Sequence, residues 1–298
     1  MIKGKILFWL STALALVILS LSIVFHSLSS DQSTSQPFNQ TADYYNRGVE
    51  LANAERWDEA AGAFKQAISV NTNDADAHFQ LGYSLKQLKR YAEGIEEFKQ
   101  AVRLGPDDAE ANFQLGWVDN EQTHFAEAVE PLKTAVRLMP ERVDAQEELG
   151  YALVNLKKYA DAIAALKQVV RLQPDYAMAH YQIGWSYNGL ARFAEAIEPF
   201  KQAIRLKPDM AIAHSELGYA YRNVKRYAEA LAAYKQAVSV DPKFAPAHHG
   251  LGVTYFALGN KAAAQQEYQT LKSLDAVWAN KLLKVIDNNQ PVRLRMRN

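Results

Sequence analysis

Glycine returns at a fixed interval: Gly48, Gly82, Gly116, Gly150, Gly184, Gly218 and Gly252 each stand 34 residues after the one before. An apolar residue precedes six of them (Leu81, Leu115, Leu149, Ile183, Leu217, Leu251), and Arg47 is the departure. Twelve residues after each glycine comes a small residue (Ala60, Gly94, Ala128, Ala162, Ala196, Ala230, Ala264). Four further on comes an apolar or aromatic one (Phe64, Phe98, Leu132, Leu166, Phe200, Tyr234, Tyr268). A unit of this length is too small to bury its own apolar side, so successive units must cover one another. Seven of them fill residues 41–278, as 41–74, 75–108, 109–142, 143–176, 177–210, 211–244 and 245–278.

In these positions the chain resembles the tetratricopeptide repeat family, whose 34-residue helix–turn–helix carries Gly, Ala, an aromatic and Pro at the same offsets. The resemblance implies an all-α fold, a right-handed superhelical α-solenoid whose first helices line a concave wall. Packing arguments agree. The glycine on the first helix and the small residue on the second let two backbones approach, while apolar positions at three-and-four spacing face the partner helix. Pro106, Pro140, Pro174, Pro208 and Pro242 are expected to close each second helix and sit at the start of the next, since proline lacks the N–H a helix interior needs. Asp107, Asp175 and Asp209 suit the positive end of the helix that follows.

The end repeats depart from the pattern, as capping units do. Thr72 stands in place of proline, and Lys261 where the others have Trp57, Tyr91, Phe125, Tyr159, Phe193 or Tyr227. The last repeat runs on without proline into an expected capping helix over 279–287, followed by a basic tail, 288–298. Pro131 and Pro199 fall in predicted helix interiors, where a proline costs about 3 kcal/mol and predicts a kink.

Ahead of the repeats, Ile6 to Phe25 carries no charge over 20 residues, a helix of about 30 Å at about 1.5 Å per residue. Residues 1–25 read as a cytoplasmic stub and a transmembrane signal-anchor helix. The alternative is a cleaved signal peptide ending near Ser27 and Ser29, although apolar stretches of such signals run to roughly 7–15 residues. Lys3 and Lys5 precede the segment and Asp31 is the first charge after it. This places the N-terminus in the cytoplasm and the remainder outside, in the periplasm or, after cleavage, secreted. Residues 26–40, rich in Ser and Gln, read as a flexible tether.

Lys plus Arg and Asp plus Glu both number 33, so no net field is available to hold nucleic acid. The chain has no cysteine, which removes disulfides, thiolate metal sites and cysteine nucleophiles together. It carries no Gly-rich phosphate loop, no G-x-S-x-G and no H-E-x-x-H. Its recurring carboxylates (Glu59, Glu93, Glu127, Asp161, Glu195, Glu229) follow the repeat, which suits solvated helix starts better than an acid–base pair.

The resemblance implies ligand-facing residues at the second, fifth, ninth, twelfth and thirteenth places of each repeat. Here those places bring Phe79, Tyr83, Phe113, Trp117, Tyr151, Tyr181, Trp185 and Tyr219 together with Asn120, Asn188 and Arg222. Rings supply contact area at low entropy cost and amides can pair with an extended backbone, which is peptide-binding chemistry. The same rings would serve equally to pack one repeat on the next. Trp117 and Trp185, large and flanked by polar residues, are expected to be the more exposed. The Lys and Asn of the subclass that binds acidic chaperone tails are missing from the fifth and ninth places.

His78, His180, His214 and His248 share one repeat position. With helix axes about 8–10 Å apart they should not converge on one zinc, whose ligands lie about 2.0–2.1 Å away. They are expected to pack, in a slot where the family often has Trp, and no metal or cofactor is expected. Arg293, Arg295 and Arg297 belong to a short tail that reads as frayed.

The resulting expectation is a non-enzymatic scaffold, tied to the membrane by its N-terminal helix and binding a peptide segment or partner protein in the groove, with no nucleic acid or small-molecule substrate. One alternative is an accessory subunit docking a folded envelope enzyme or a secretion or polysaccharide-assembly complex. Another is an uncharacterised enzyme, which would need turnover by residues 41–287.

Overall fold

The computed structural model describes residues 40–288. The expected anchor (1–25), nearly all of the tether and the basic tail beyond residue 288 lie outside the described residues. Among those described, no helix is long and apolar enough to cross a membrane.

Fifteen helices and no strand make up the described residues. The hairpins are α1 (40–53) with α2 (Trp57–Val70), α3 (Ala75–Gln87) with α4 (Tyr91–Leu104), α5 (Ala109–Glu121) with α6 (Phe125–Leu138), and α7 (Val143–Asn155) with α8 (Tyr159–Leu172). They continue as α9 (Ala177–Gly189) with α10 (Phe193–Leu206), α11 (Ala211–Asn223) with α12 (Tyr227–Val240), and α13 (Ala245–Ala257) with α14 (Lys261–Leu274); α15 (Ala276–Asn288) closes the series. The chain forms two compact units, and the boundary between them falls within α5, between Val118 and Asp119. In the second unit each helix packs on the next, and the first helices α7, α9, α11 and α13 also touch in succession.

In five of the hairpins a ring or branched side chain of the second helix is seated over the glycine of the first, whereas Gly252 of the seventh faces Leu282 of α15. A Cβ built on Gly48, Gly82, Gly184 or Gly218 would lie 2.6, 2.9, 2.8 or 2.9 Å from Phe64, Phe98, Phe200 or Tyr234 respectively. Gly150 stands in the same relation to Leu166, at 2.7 Å. These partners are sealed from solvent, as are the alanines at the small position, Ala60, Ala128, Ala162, Ala196, Ala230 and Ala264. At Gly94 the reason for smallness is visible, because an added Cβ would come within 3.3 Å of the Gly82 carbonyl oxygen.

The turn inside every hairpin is left-handed at one residue. Glu55, Lys89, Thr123, Lys157, Ala191 and Lys225 have φ between 56° and 63°, and only Gly259 (φ 79°) is a glycine. Two bonds close each turn. In the first repeat the Glu55 N–H donates to the Ala52 carbonyl and the Arg56 N–H to that of Leu51, both at 2.9 Å, and the pair recurs in all seven repeats. These bonds satisfy carbonyls that the helix end would leave free.

Between repeats, the prolines do not sit where the sequence places them. The Asp108, Tyr176 and Phe244 N–H groups donate to the Gly105, Gln173 and Asp241 carbonyls at 3.0, 3.2 and 3.1 Å. Pro106, Pro174 and Pro242 are therefore second residues of β-turns, for which their fixed φ is suited, and they precede the next helix instead of opening it. The residue after each proline then falls short of the cap. Tyr176 and Met210 occupy the N-caps of α9 and α11 without a side-chain bond, so Asp175 and Asp209 cap nothing there. Asp108, not Asp107, accepts from the Glu110 and Ala111 N–H groups at 2.9 and 3.0 Å.

Pro131 and Pro199 lie inside α6 and α10, both of which stay helical through them. The N–H each lacks would have gone to Glu127 or Glu195, exposed residues of the first turn, where solvent can satisfy the carbonyl. The last helix, α15, starts at Ala276, earlier than the expected residue 279, because Asp275 caps it by accepting from the Val277 and Trp278 N–H groups at 2.8 and 3.1 Å. Its Ala279, Leu282 and Val285 close the end of the core against Val253 and Leu271.

Candidate binding face

The first helices carry a ladder of polar contacts that links one repeat to the next. The Asn120 amide donates to the Glu148 carboxylate at 2.8 Å and to its backbone carbonyl at 3.0 Å. Asn188 repeats this with Glu216, at 2.9 and 3.4 Å. In the first unit the Lys86 ammonium donates to Gln114 at 2.8 Å from the same repeat position. Each contact spans 28 residues, from the twelfth place of one repeat to the sixth of the next. The carboxyls on this ladder are displaced toward their neutral form. Burial pushes Glu216 up to about 7 against the Asn188 hydrogen bond that favours the carboxylate. Glu148 is raised for the same reason, with Asn120 opposing.

Beside the ladder lies the row of rings. In the first unit, Phe79 stacks on Tyr83 at 6.4 Å and tilts against Phe98 at 5.8 Å, and Trp57 meets Tyr83 edge-on at 6.0 Å. Trp117 packs edge-on against Tyr91 at 6.3 Å, while the Lys86 ammonium lies 4.4 Å from its ring centre and 5.0 Å from that of Tyr83. In the second unit, Tyr181 lies between Trp185 (6.3 Å) and Phe200 (5.9 Å). Tyr151 and Tyr219 stand edge-on to Phe125 and Phe193, at 5.7 and 5.6 Å. Burial, with Glu216 nearby, raises the Tyr181 phenol well above its ordinary value, so it remains a neutral donor.

Placement sorts the expected site residues. Phe113 and Asn120 are buried, at 5% and 4% exposure, the ring in the interior and the amide engaged by Glu148 of the next repeat. Phe79, Tyr83, Trp117, Tyr181, Trp185, Asn188, Tyr219 and Arg222 are half-buried. Tyr151, at 42%, is the exposed ring of the set, whereas Trp117 and Trp185 were expected to be the more open. A separate cleft of about 370 Å³ opens at the first repeat, among Tyr45, Asn46, Asn71, Asp74 and Asp76.

The histidines at the shared position act as clasps. His180, His214 and His248 each bring Nε2 to the carbonyl of the proline six residues back (Pro174, Pro208, Pro242), at 2.9 to 3.0 Å. His78 does so to Thr72 at 3.2 Å, and the Asn112 amide donates to Pro106 at 3.1 Å. They tie down the turn between repeats, a hydrogen-bonding role beyond the packing expected of them. The recurring acids are solvated helix starts. Glu59, Glu93, Glu195 and Glu229 accept from Arg56, Arg90, Arg192 and Arg226, three residues earlier at each helix N-cap.

Models of the tetratricopeptide repeat match residues 45–109, 113–177, 148–211 and 245–277, and a TPR repeat model matches 224–259. The chain belongs to the tetratricopeptide repeat family. Among solved structures it is similar to YrrB, described as a TPR protein with an unusual peptide-binding site. The two share 25% identity and a TM-score of 0.58, over 63% of this chain and 97% of that one. It is also similar to a MamA protein, at 26% identity and a TM-score of 0.52 over 55% of this TPR chain and 95% of that one. MamA from Desulfovibrio magneticus RS-1 shares the fold at 22% identity, with a TM-score of 0.54 over 57% and 96%. No curated protein matches the chain.

Proposed function

We propose that this TPR protein is a non-enzymatic scaffold that holds an extended peptide segment of a partner protein on the first-helix face of its second unit. The observation that carries the reading is the row Tyr151, Trp185 and Tyr219, one ring per repeat at the ninth place, part-exposed beside the amides of Asn155 and Asn223. Those amides donate to the Tyr151 and Tyr219 carbonyls at 2.9 and 2.8 Å, which fixes their oxygens as acceptors for a peptide N–H. The likeness to a TPR protein with a peptide-binding site supports it.

Binding of an arrayed peptide library to the full chain tests the reading. Trp185→Ala or Tyr219→Ala should weaken the peptides selected on the parent by about tenfold or more, the cost of truncating an aromatic hot spot, with helicity unchanged. Loss of partner capture only on changing exposed second-helix residues such as Lys99 or Lys201 would instead mean docking of a folded protein. Residues 1–25 anchor the chain, in this proposal, with the repeats outside the cytoplasmic membrane, on the strength of the uncharged run Ile6–Phe25 behind Lys3 and Lys5. Recovery of the protein as a soluble species beginning near Ser30 would refute the anchor.

A further inference from the structure

The cleft at the first repeat, about 370 Å³, is lined by the apolar groups of Ala42 and Tyr45 on α1 and Val70 at the end of α2, with Thr41, Asn71 and Asp74 beside them. The polar side chains that could fill it fold back on their own turn. Asn71 Oδ1 accepts from the Asn73 N–H at 3.1 Å, and Asp74 Oδ1 from the Ala77 N–H at 3.0 Å. Further along the chain a larger side chain bridges the equivalent place. Tyr176, at the repeat position of Asp74, donates from its hydroxyl to Glu147, at the repeat position of Tyr45, and Met210 and Phe244 hold the Asp74 position in the next two repeats. At the first repeat Ala42 is left exposed and Tyr45 and Val70 half-buried, apolar surface that an aromatic ring would cover.

The chain carries such a ring within reach. Residue 40 is the first described, and Phe38 precedes Thr41 by three residues, a stretch that spans at most about 11 Å when fully extended. From Ser29 to Gln40 the sequence is otherwise polar, and Pro37 and Phe38 are its apolar residues. Asn39, between Phe38 and α1, is a residue type favoured at an N-cap, and an apolar side chain just ahead of a cap folds back over the first turn of its helix. That turn carries Thr41 and Ala42, which line the cleft. A helix begun earlier leads to the same place, because Phe38 stands three, four and seven residues before Thr41, Ala42 and Tyr45, the spacing of one helical face. A ring held so close has a high effective concentration at the cleft, an advantage over one brought by a separate molecule.

We propose that Phe38 seats its ring in this cleft, so that the end of the tether closes the first repeat from within the chain. Ala42 and Tyr45 stand at the second and fifth places of that repeat, so the seated ring withholds them from a partner and fixes the point at which the tether leaves the first hairpin. A chain that begins near Ser30 still carries Phe38, and the contact holds with or without the membrane anchor. It is also independent of what the second unit binds.

Methyl NMR of the full chain tests it, with Ala and Val methyls labelled and the Phe rings left protonated. The expected result is a nuclear Overhauser contact from the Phe38 ring to the Val70 and Ala42 methyls, unchanged on dilution, with the Val70 signals displaced by the ring. Phe38→Ala should abolish the contact, return the Val70 signals toward their ordinary positions, and speed hydrogen exchange of the α1 amides by about tenfold or more, as loss of a buried ring implies. The methyls of Val253, in the core of the last repeat, should stay in place, which shows that the variant is folded. The proposal is overturned if the Phe38 ring makes no contact with Val70 or if Phe38→Ala leaves the Val70 signals where they are. It is equally overturned if the contact arises only between differently labelled copies in a mixed sample, which would place a second copy in the cleft.

Discussion

Gly184→Ala adds one methyl group, and the structure places it 2.8 Å from the Phe200 ring. That ring is fully buried, with Tyr181 at 5.9 Å against it, so it cannot swing into solvent to make room. Overpacking a tight core costs about 1–3 kcal/mol, whereas alanine in place of glycine inside a helix returns about 1 kcal/mol. The expected net is a loss of about 1 kcal/mol. Gly62→Ala supplies the control, because Gly62 lies inside α2 with nothing within 4 Å of an added Cβ and should stabilise by about 1 kcal/mol. The same chemical change therefore moves stability in opposite directions. Denaturation followed by helicity, fitted with nearest-neighbour coupling between repeats, measures both. Combining Gly184→Ala with Phe200→Ala removes the clash, so the double variant should be more stable than the sum of the single losses by about 1–3 kcal/mol. If Gly184→Ala stabilises as much as Gly62→Ala does, the close approach of Gly184 to Phe200 is not what holds the hairpin.

Thr123 is β-branched and sits at φ 61°, so Thr123→Gly should raise stability by about 1 kcal/mol, and Gly259→Thr should lower it by a similar amount; denaturation midpoints check both. Burial raises the Glu216 carboxyl from 4.5 to about 7, so the folded state keeps a proton that the unfolded chain releases. Stability should therefore fall as pH rises from about 4.5 to about 7, by roughly 3 kcal/mol at most, and stay level above that window. Glu216→Gln, which can still accept from Asn188, should remove that slope and melt higher than the parent at about pH 8, as thermal unfolding across the pH range would show.

Much of the hairpin was legible because its determinants lie close together in the chain. A glycine and the residue sixteen further on, such as Gly48 and Phe64, meet within one repeat, so their spacing states the contact. The turns were less legible. Glu, Lys, Thr and Ala carry no signal for positive φ, and a proline near a helix start reads alike whether it opens the helix or sits in the turn before it. The candidate site was the least legible part. Tyr151 and Trp185 hold the same place of their repeats, yet one is exposed and the other half-buried, since exposure depends on which side chains the packed helices lay against each ring.

The period alone fixed that this chain is a series of stacked helical hairpins, because a short unit with one apolar side has nowhere to bury it except against its neighbours. It could not fix which polar groups end up paired. Asn188 meets the Glu216 carboxylate, while Arg222 at the same place of the next repeat lies over the Tyr219 ring and reaches the Tyr234 hydroxyl, because packing decides which side chains come together. Whether a buried donor finds its acceptor is decided only once those helices are in contact.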